Sequence, residues 1–332
     1  MKKLINQIDD VVRETLEGVA ACHPYRVRKL EGHHVLVRAD GPVAGKVALL
    51  SGGGAGHEPA FWGGIGPGLI DGAVQGEVFT SPTPDEILTG LRAVDGGAGV
   101  IQLYNNYTGD VMNFDLAQEE AVSDGLRVDT LLVNDDVSVE DGPTSVGRRG
   151  IAGNFLVQKV AGAAAAEGRD FDEVLAAGRK AISELRSMGM ALAPCTVPAA
   201  GEPTFSLGED EMEIGMGLHG EPGVSRRPLE PADAVATELT TRAADDLGVS
   251  AGDRVVVLVN GLGATPPMEL YIVARKALEL LGDRGVAVHR SYVMEAATSM
   301  EMAGCSVSLL RVDDDLVHLI DAPADAIAFT QV

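Results

Sequence analysis

The chain repeatedly runs through an apolar stretch and stops abruptly in small, polar or acidic residues. KVALLSG (46–52) gives way to GGAGHEPA, GVIQLY (99–104) to NNYTGD, and RVDTLLVND (127–135) ends in acids. HHVLVR (33–38) reads as one more strand. Helical patterns lie between these runs. In TPDEILTGLRAV, Thr83 is placed as N-cap, Pro84 at the first helical position and Glu86 as the reciprocal member of a capping box. A second helix is expected over about 113–124. Strand, loop and helix in this alternation demand a mostly parallel sheet, whose ligands gather beyond the carboxyl ends of the strands. SGGGAGHEP, YNNYTGD and VNDD are therefore expected along one edge.

Upstream, Ile5, Ile8, Val12, Leu16 and Val19 make the stripe of an amphipathic helix. Downstream, long alanine-rich helices are expected over about 150–167 and 171–188. LAPCTVPAAGEPTF, rich in proline and small residues, then suggests a boundary near 188–195. The reading is α/β throughout: two α/β domains, 1–190 and 191–332, each on a mixed or mostly parallel sheet flanked by helices. In the second, Met212, Ile214, Met216 and Leu218 alternate as in a half-buried strand, with His219 at its end. Helices over about 231–247 and 267–281 alternate with strands at 254–260 and 285–291. CSVSLLRV (305–312) and DLVHLI (315–320) read as a terminal hairpin, with His318 packed inside it.

Composition narrows the partners. Acidic residues number 49 against 26 basic ones, a net charge of −23, which repels nucleic-acid phosphates and anionic membranes. No run of apolar residues is long enough to span a bilayer. The acids within MKKLINQIDDVVRETLEGV interrupt any signal-peptide core. Cys22, Cys195 and Cys305 lie far apart, which argues against a disulfide framework or a zinc site. A cytoplasmic location is expected.

Candidate chemistry concentrates at three histidine- or acid-bearing glycine motifs. SGGGAGH has His57 where a dinucleotide fingerprint needs glycine, and no phosphate-binding P-loop string occurs. Its glycines serve either a tight turn or a close approach to a small polar ligand. His57 is suited to acid–base work near neutral pH or to capping a turn. Asp110, after the glycine of NYTGD, is either a base for a substrate hydroxyl or a helix N-cap. His219 in GMGLHGEPG is the strongest single candidate, because glycines surround it and no metal-spaced partner accompanies it. No metal motif is present; the acidic runs 134–136 and 313–315 read as solvated strand ends more readily than as magnesium ligands.

Seven collinear motifs add a resemblance. SGGGAGHEP, GEVFTSPTPDEI, NYTGDVMNF, GRRGIAGN, CTVPAAGEPTF, GLHGEPG and NGLGATP together resemble the substrate-binding (K) subunits of dihydroxyacetone kinases, along nearly the whole chain. The resemblance implies a homodimer that binds a small ketose. A separate nucleotide-binding subunit would carry ATP, or ADP recharged by the phosphotransferase system, with magnesium, so that no cofactor sits in this chain. It implies that His219 bonds covalently to the substrate carbonyl carbon, giving a hemiaminal. His57 would assist as acid or base, Asp110 would take the proton of the attacking hydroxyl, and Gly53 and Gly54 would line the substrate. One position departs from the family: Asn105 stands where many dihydroxyacetone-specific members carry lysine. A lost cation and added room there suggest that the ketose is either dihydroxyacetone or a four-carbon ketose such as erythrulose, unless Asn105 simply replaces one hydrogen bond through a water. The resemblance also includes non-catalytic ketose-binding paralogues that act as co-regulators of transcription.

Overall fold

The computed structural model describes residues 2–139 and 147–332. Helix α1 (Val11–Cys22) leads into β1 (Val27–Lys29), β2 (Val35–Arg38), β3 (Ala48–Ala55) and β4 (Gly72–Val78). Then follow α2 (Pro84–Val94), β5 (Val100–Asn105), α3 (Thr108–Ser123) and β6 (Val128–Val133). These strands form one six-stranded mixed sheet in the order β1-β2-β4-β3-β5-β6, in which β4, β3, β5 and β6 are parallel.

Next come α4 (Asn154–Ala166), α5 (Phe171–Ser183), β7 (Leu185–Ala193), β8 (Glu211–Ile214) and β9 (Ser225–Pro228). The chain continues with α6 (Ala232–Leu247), β10 (Arg254–Gly261), α7 (Pro267–Asp283), β11 (Ala287–Met294), β12 (Ala303–Arg311) and α8 (Asp314–Asp321). The second sheet has the order β11-β10-β12-β7-β8-β9; β10 and β11 are its parallel pair and the other pairings are antiparallel. The protein is thus built as two α/β domains on six-stranded mixed sheets.

Three apolar clusters show how the layers stack. Helices α2 and α3 cover one face of the first sheet, with Ile87, Leu91 and Phe114 against Leu50, Val74 and Tyr104. Helices α6 and α7 cover one face of the second, with Leu239 and Leu270 against Val257 and Leu309. The remaining faces share a third cluster, in which Leu156, Val160, Val174 and Leu319 of α4, α5 and α8 lie with Ile101, Leu103, Leu258 and Leu310 of both sheets. Being covered on all sides explains why α4 is apolar around nearly its whole circumference. Its one cation, the buried Lys159, donates to the Leu319 carbonyl at 2.7 Å, satisfying the last turn of α8.

Several expected elements differ. The terminal hairpin is replaced by β12 followed by α8. Asp313 caps that helix through the Leu316 N–H, and Leu316, Leu319 and Ile320 are its buried stripe. His318 therefore lies on the outer face, paired with Glu167 and 64 % exposed, rather than packed. The helix expected over 171–188 ends at Ser183, and β7 occupies the stretch where a boundary was expected. Helix α3 begins five residues before the expected 113, with Tyr107 as N-cap. Half of the capping box forms: Thr83 accepts from the Glu86 N–H, while the Glu86 carboxylate turns to the His34 N–H.

The first three glycines of SGGGAGH do not form a loop. Gly52, Gly53 and Gly54 are strand residues, paired in register with Val74, Gln75 and Gly76 of β4. What they provide is clearance. A Cβ on Gly52 would lie 2.6 Å from the Val74 carbonyl, and one on Gly54 would lie 2.7 Å from the Thr80 nitrogen.

Candidate functional site

β3 pairs with β5 only as far as Ser51 and Leu103, after which the two strands part. The chain goes from β3 to β4 on one side and then crosses to β5 on the other. A crevice therefore opens beyond the carboxyl ends of β3 and β5, where the strand order reverses. β3 runs on into His57, and β5 runs on into Tyr107 and Asp110.

His219 reaches this crevice from the second domain. β8 stops at Ile214 because Gly215 turns the chain with φ of 82°. The alternation of Met212, Ile214, Met216 and Leu218 is thus not one strand. Met212 and Ile214 pack beneath α6 and α7, whereas Met216 and Leu218 belong to the shared inner core. The glycines around His219 also have structural tasks. A Cβ on Gly217 would lie 2.2 Å from a Glu221 carboxylate oxygen, and one on Gly223 would lie 2.1 Å from the Ile214 carbonyl.

The His57 and His219 rings meet through their Nε2 atoms at 3.0 Å. His57 Nδ1 donates to the Thr298 carbonyl at 2.8 Å. The Thr298 and Met300 N–H groups bond back to the carbonyls of His57 and Gly56, so this segment of the second domain grips the end of β3. His219 Nδ1 lies 3.0 Å from one oxygen of Glu221, while the other oxygen accepts the His219 backbone N–H at 2.9 Å. Phe79 stacks on His57 and meets His219 edge-on, as does Tyr107. His57, enclosed beneath Phe79, is poorly hydrated, and burial together with the nearby His219 pushes it down to about 3.

Asp110 is the third residue of α3 and is buried. Burial raises its carboxyl to about 6, against the opposing effects of the Ser81 hydroxyl and of His219. Its Oδ1 is buried without a hydrogen-bond partner. A carboxylate so placed is largely ionised at neutral pH and has a free lone pair for a proton.

Asn105, at the end of β5, is buried; its side-chain oxygen accepts from Asn154 at 2.8 Å, and Asn154 accepts from Gln158 at 2.6 Å. These amides line a cavity of about 20 Å³ together with Pro59, Ala60 and Phe61. The acids of 134–136 are not solvated as expected. Asp135 accepts from the Ile151 and Gly153 N–H groups and from Ser187, and Asp136 pairs with Arg149, so both are buried structural groups. Asp313 and Asp314 of the other acidic run serve the start of α8 and pair with Lys180 and Arg254. Among the described residues, no group of three or more His, Cys, Asp or Glu side chains is arranged to hold a metal ion.

The structure thus brings His57, Asp110 and His219 to one crevice, with Gly53 and Gly54 in the strand that leads into it. Residue-level reasoning missed Glu221, Thr298, Phe79 and Tyr107. Glu221 left a local signal, a carboxylate two residues after the histidine with a glycine between them, and Phe79 and Tyr107 lie within GEVFTSPTPDEI and NYTGDVMNF.

The Dak1 domain model matches residues 17–328. The chain belongs to the Dak1 family. It is 47% identical to the dihydroxyacetone-binding subunit DhaK of PTS-dependent dihydroxyacetone kinase 1 from Listeria innocua, over 99% of this chain and 100% of that one. Among solved structures, the dihydroxyacetone kinase operon co-activator Dha-DhaQ superposes with a TM-score of 0.91 at 33% identity, covering 98% of this chain and 99% of that one. The dihydroxyacetone kinase of C. freundii superposes with a TM-score of 0.88 at 31% identity, covering 99% of this Dak1 chain and 60% of the longer kinase.

Proposed function

We propose that this Dak1 chain is the ketose-binding subunit of a two-component dihydroxyacetone-type kinase. The observation that carries the reading is the convergence of His219, His57 and Asp110 on one crevice at the carboxyl end of the first sheet. His219 Nε2 attacks the ketose carbonyl carbon and forms a hemiaminal, while His57 handles the proton of the carbonyl oxygen. Capture fixes the terminal hydroxyl, and Asp110 takes its proton as the phosphoryl group arrives. A polyol such as glycerol has no carbonyl and is not held.

The phosphoryl group comes from a separate nucleotide-binding subunit that carries ATP, or ADP recharged by the phosphotransferase system, with magnesium. The name of the Listeria relative favours the phosphotransferase route. The chain acts as a homodimer in the cytoplasm. Asn105 supports a four-carbon ketose such as erythrulose, because a short neutral amide held by Asn154 replaces a mobile cation and a small cavity lies beside it.

The likeness to a transcriptional co-activator favours one second reading, a ketose sensor without turnover. A sensor needs the carbonyl trap but not the base, so Asp110 favours the kinase. The chain, mixed with its nucleotide-binding partner, a phosphoryl donor and a ketose, is expected to yield ketose phosphate. A crystal soaked in ketose is expected to show density joining His219 Nε2 to the carbonyl carbon. Undiminished turnover in His219→Ala would defeat covalent capture. Ketose binding without turnover with any cognate partner would favour the sensor.

A further inference from the structure

The hydrogen bonds around the imidazole pair fix its proton count. Thr298 offers His57 Nδ1 only a carbonyl oxygen, so that nitrogen carries hydrogen. Glu221 offers His219 Nδ1 a carboxylate oxygen, so that nitrogen carries hydrogen as well. The Nε2–Nε2 contact at 3.0 Å then needs one hydrogen of its own, because two lone pairs would repel. Two neutral rings hold two protons, whereas this pair holds three. The pair is therefore a monocation, and the carboxylate in direct contact with it is Glu221.

The surroundings agree. Burial alone would raise the Glu221 carboxyl, yet the hydrogen bond and charge of His219, with help from Arg149, hold it at about 2. Burial makes His57 a poor carrier of charge, and the Glu221 carboxylate touches the His219 ring, so the geometry favours the His219 side for the shared proton. Among the described residues, the other charged or titratable groups near the pair are Asp110 from the start of α3, Tyr107, whose ring packs edge-on against His219, and Arg149 near Glu221, with Asp136 behind it. Gly217 is the residue that admits Glu221, since a Cβ there would collide both with its carboxylate and, at 2.5 Å, with Arg149.

We propose that Glu221 is the positioning residue of the nucleophile: it locks His219 with hydrogen on Nδ1, aims Nε2 at His57, and by its charge keeps one proton stored between the rings for the ketose oxygen. This rests on the ketose-capture reading and deepens it. The step balances within the site. The shared proton passes to His57 Nε2, and the freed lone pair of His219 Nε2 forms the bond to carbon. The π pair of the carbonyl moves to oxygen, which takes the proton from His57. His57 ends neutral, His219 ends as an N-substituted imidazolium against Glu221, and no outside acid is used.

Nitrogen-15 and proton NMR of the ligand-free protein at neutral pH tests this without any turnover. The expected spectrum has His219 hydrogen on Nδ1 and a strongly downfield proton between the Nε2 atoms. In Glu221→Gln, the downfield proton is expected to vanish and His219 to populate both tautomers. Ketose capture should fall about 100-fold or more, on the scale seen when a triad carboxylate that orients a histidine is neutralised. Glu221→Asp keeps the charge and is expected to retain the downfield proton. A wild-type spectrum of two neutral rings, or of His219 with hydrogen on Nε2 alone, overturns the proposal whatever the variants do. So does Glu221→Gln with an unchanged spectrum, even if capture weakens. If the wild type shows the expected spectrum but never bonds a ketose, the proton arrangement stands and the capture reading falls.

Discussion

The Nε2 atoms of His57 and His219 stand 3.0 Å apart although 162 positions separate the residues in the chain. One ring follows a parallel strand of the first sheet; the other follows a short strand of the second. Replacing His57 by Asn is therefore expected to leave the fold intact and to slow ketose phosphorylation by about 10²–10⁴-fold, the usual scale for losing an acid–base group. Steady-state kinetics with the nucleotide-binding partner measures this. Full activity in His57→Asn would remove His57 from the reaction.

Asp110 is expected to set the acid side of the pH profile. Its carboxyl is raised by burial to about 6 and must be ionised to accept a proton, so turnover should rise with pH through a midpoint near 6. The effect on stability has the opposite sign. From the ordinary value of 3.8 up to about 6, the folded state holds this proton more tightly than the unfolded chain. Stability from Asp110 accordingly declines as pH rises through that window and is flat above it. Asp110→Asn is expected to abolish the rising limb of activity and to gain roughly 1–3 kcal/mol at pH 7 by urea unfolding. A variant that keeps the limb would assign it to another group.

Asn105→Lys tests substrate size. A lysine restores the cation and fills the space beside Asn154, so the ratio of kcat/KM for erythrulose over that for dihydroxyacetone should fall by about 10-fold or more. The wild type is expected to favour the four-carbon ketose. A clear wild-type preference for dihydroxyacetone would show that Asn105 does not enlarge the site.

Gly54→Ala tests the packing behind the crevice. The added methyl would lie 2.7 Å from the Thr80 nitrogen and 3.0 Å from the Phe79 backbone, neither of which is a flexible side chain. A cost of about 1–3 kcal/mol is expected, visible as a lower urea midpoint, together with weakened ketose capture because Phe79 stacks on His57. Gly18→Ala is the control, since nothing lies within 4 Å of a Cβ there.

The parts of the fold legible in the sequence were those dictated by local pattern. β5 is buried at every residue and reads as an apolar strand interrupted only by Gln102 before Asn105. β4 was missed because Gly72 and Gly76 interrupt GAVQGEV, and both are there to admit neighbouring chain. β7 was absorbed into the preceding helix, because Leu185 and Met188 happen to prolong its apolar spacing. In the last helix, Leu316, His318 and Ile320 alternate like a strand, while Leu316, Leu319 and Ile320 satisfy the helical period; the Asp313 cap decides between them. The site divides the same way. His57, Asp110 and His219 sit in distinctive motifs as residues suited to proton or nucleophile chemistry; Phe79 and Tyr107 share such motifs, but their aromatic rings do not by themselves announce a role, and Thr298 reaches the crevice only through tertiary packing.

The two imidazoles come from different domains, and the inner helix layer that joins those domains belongs to both. On the proposed function, reactivity toward carbonyls is expected to be a property of the finished assembly and of no segment within it. A nascent chain with only its first sheet complete carries His57 but lacks Thr298 to orient it and His219 to act. A fragment bearing the second sheet alone has His219 and Glu221 but no ring to receive a proton. If the proposed capture holds, a site completed only when both domains are folded is expected to stay inert toward free sugars and aldehydes during synthesis.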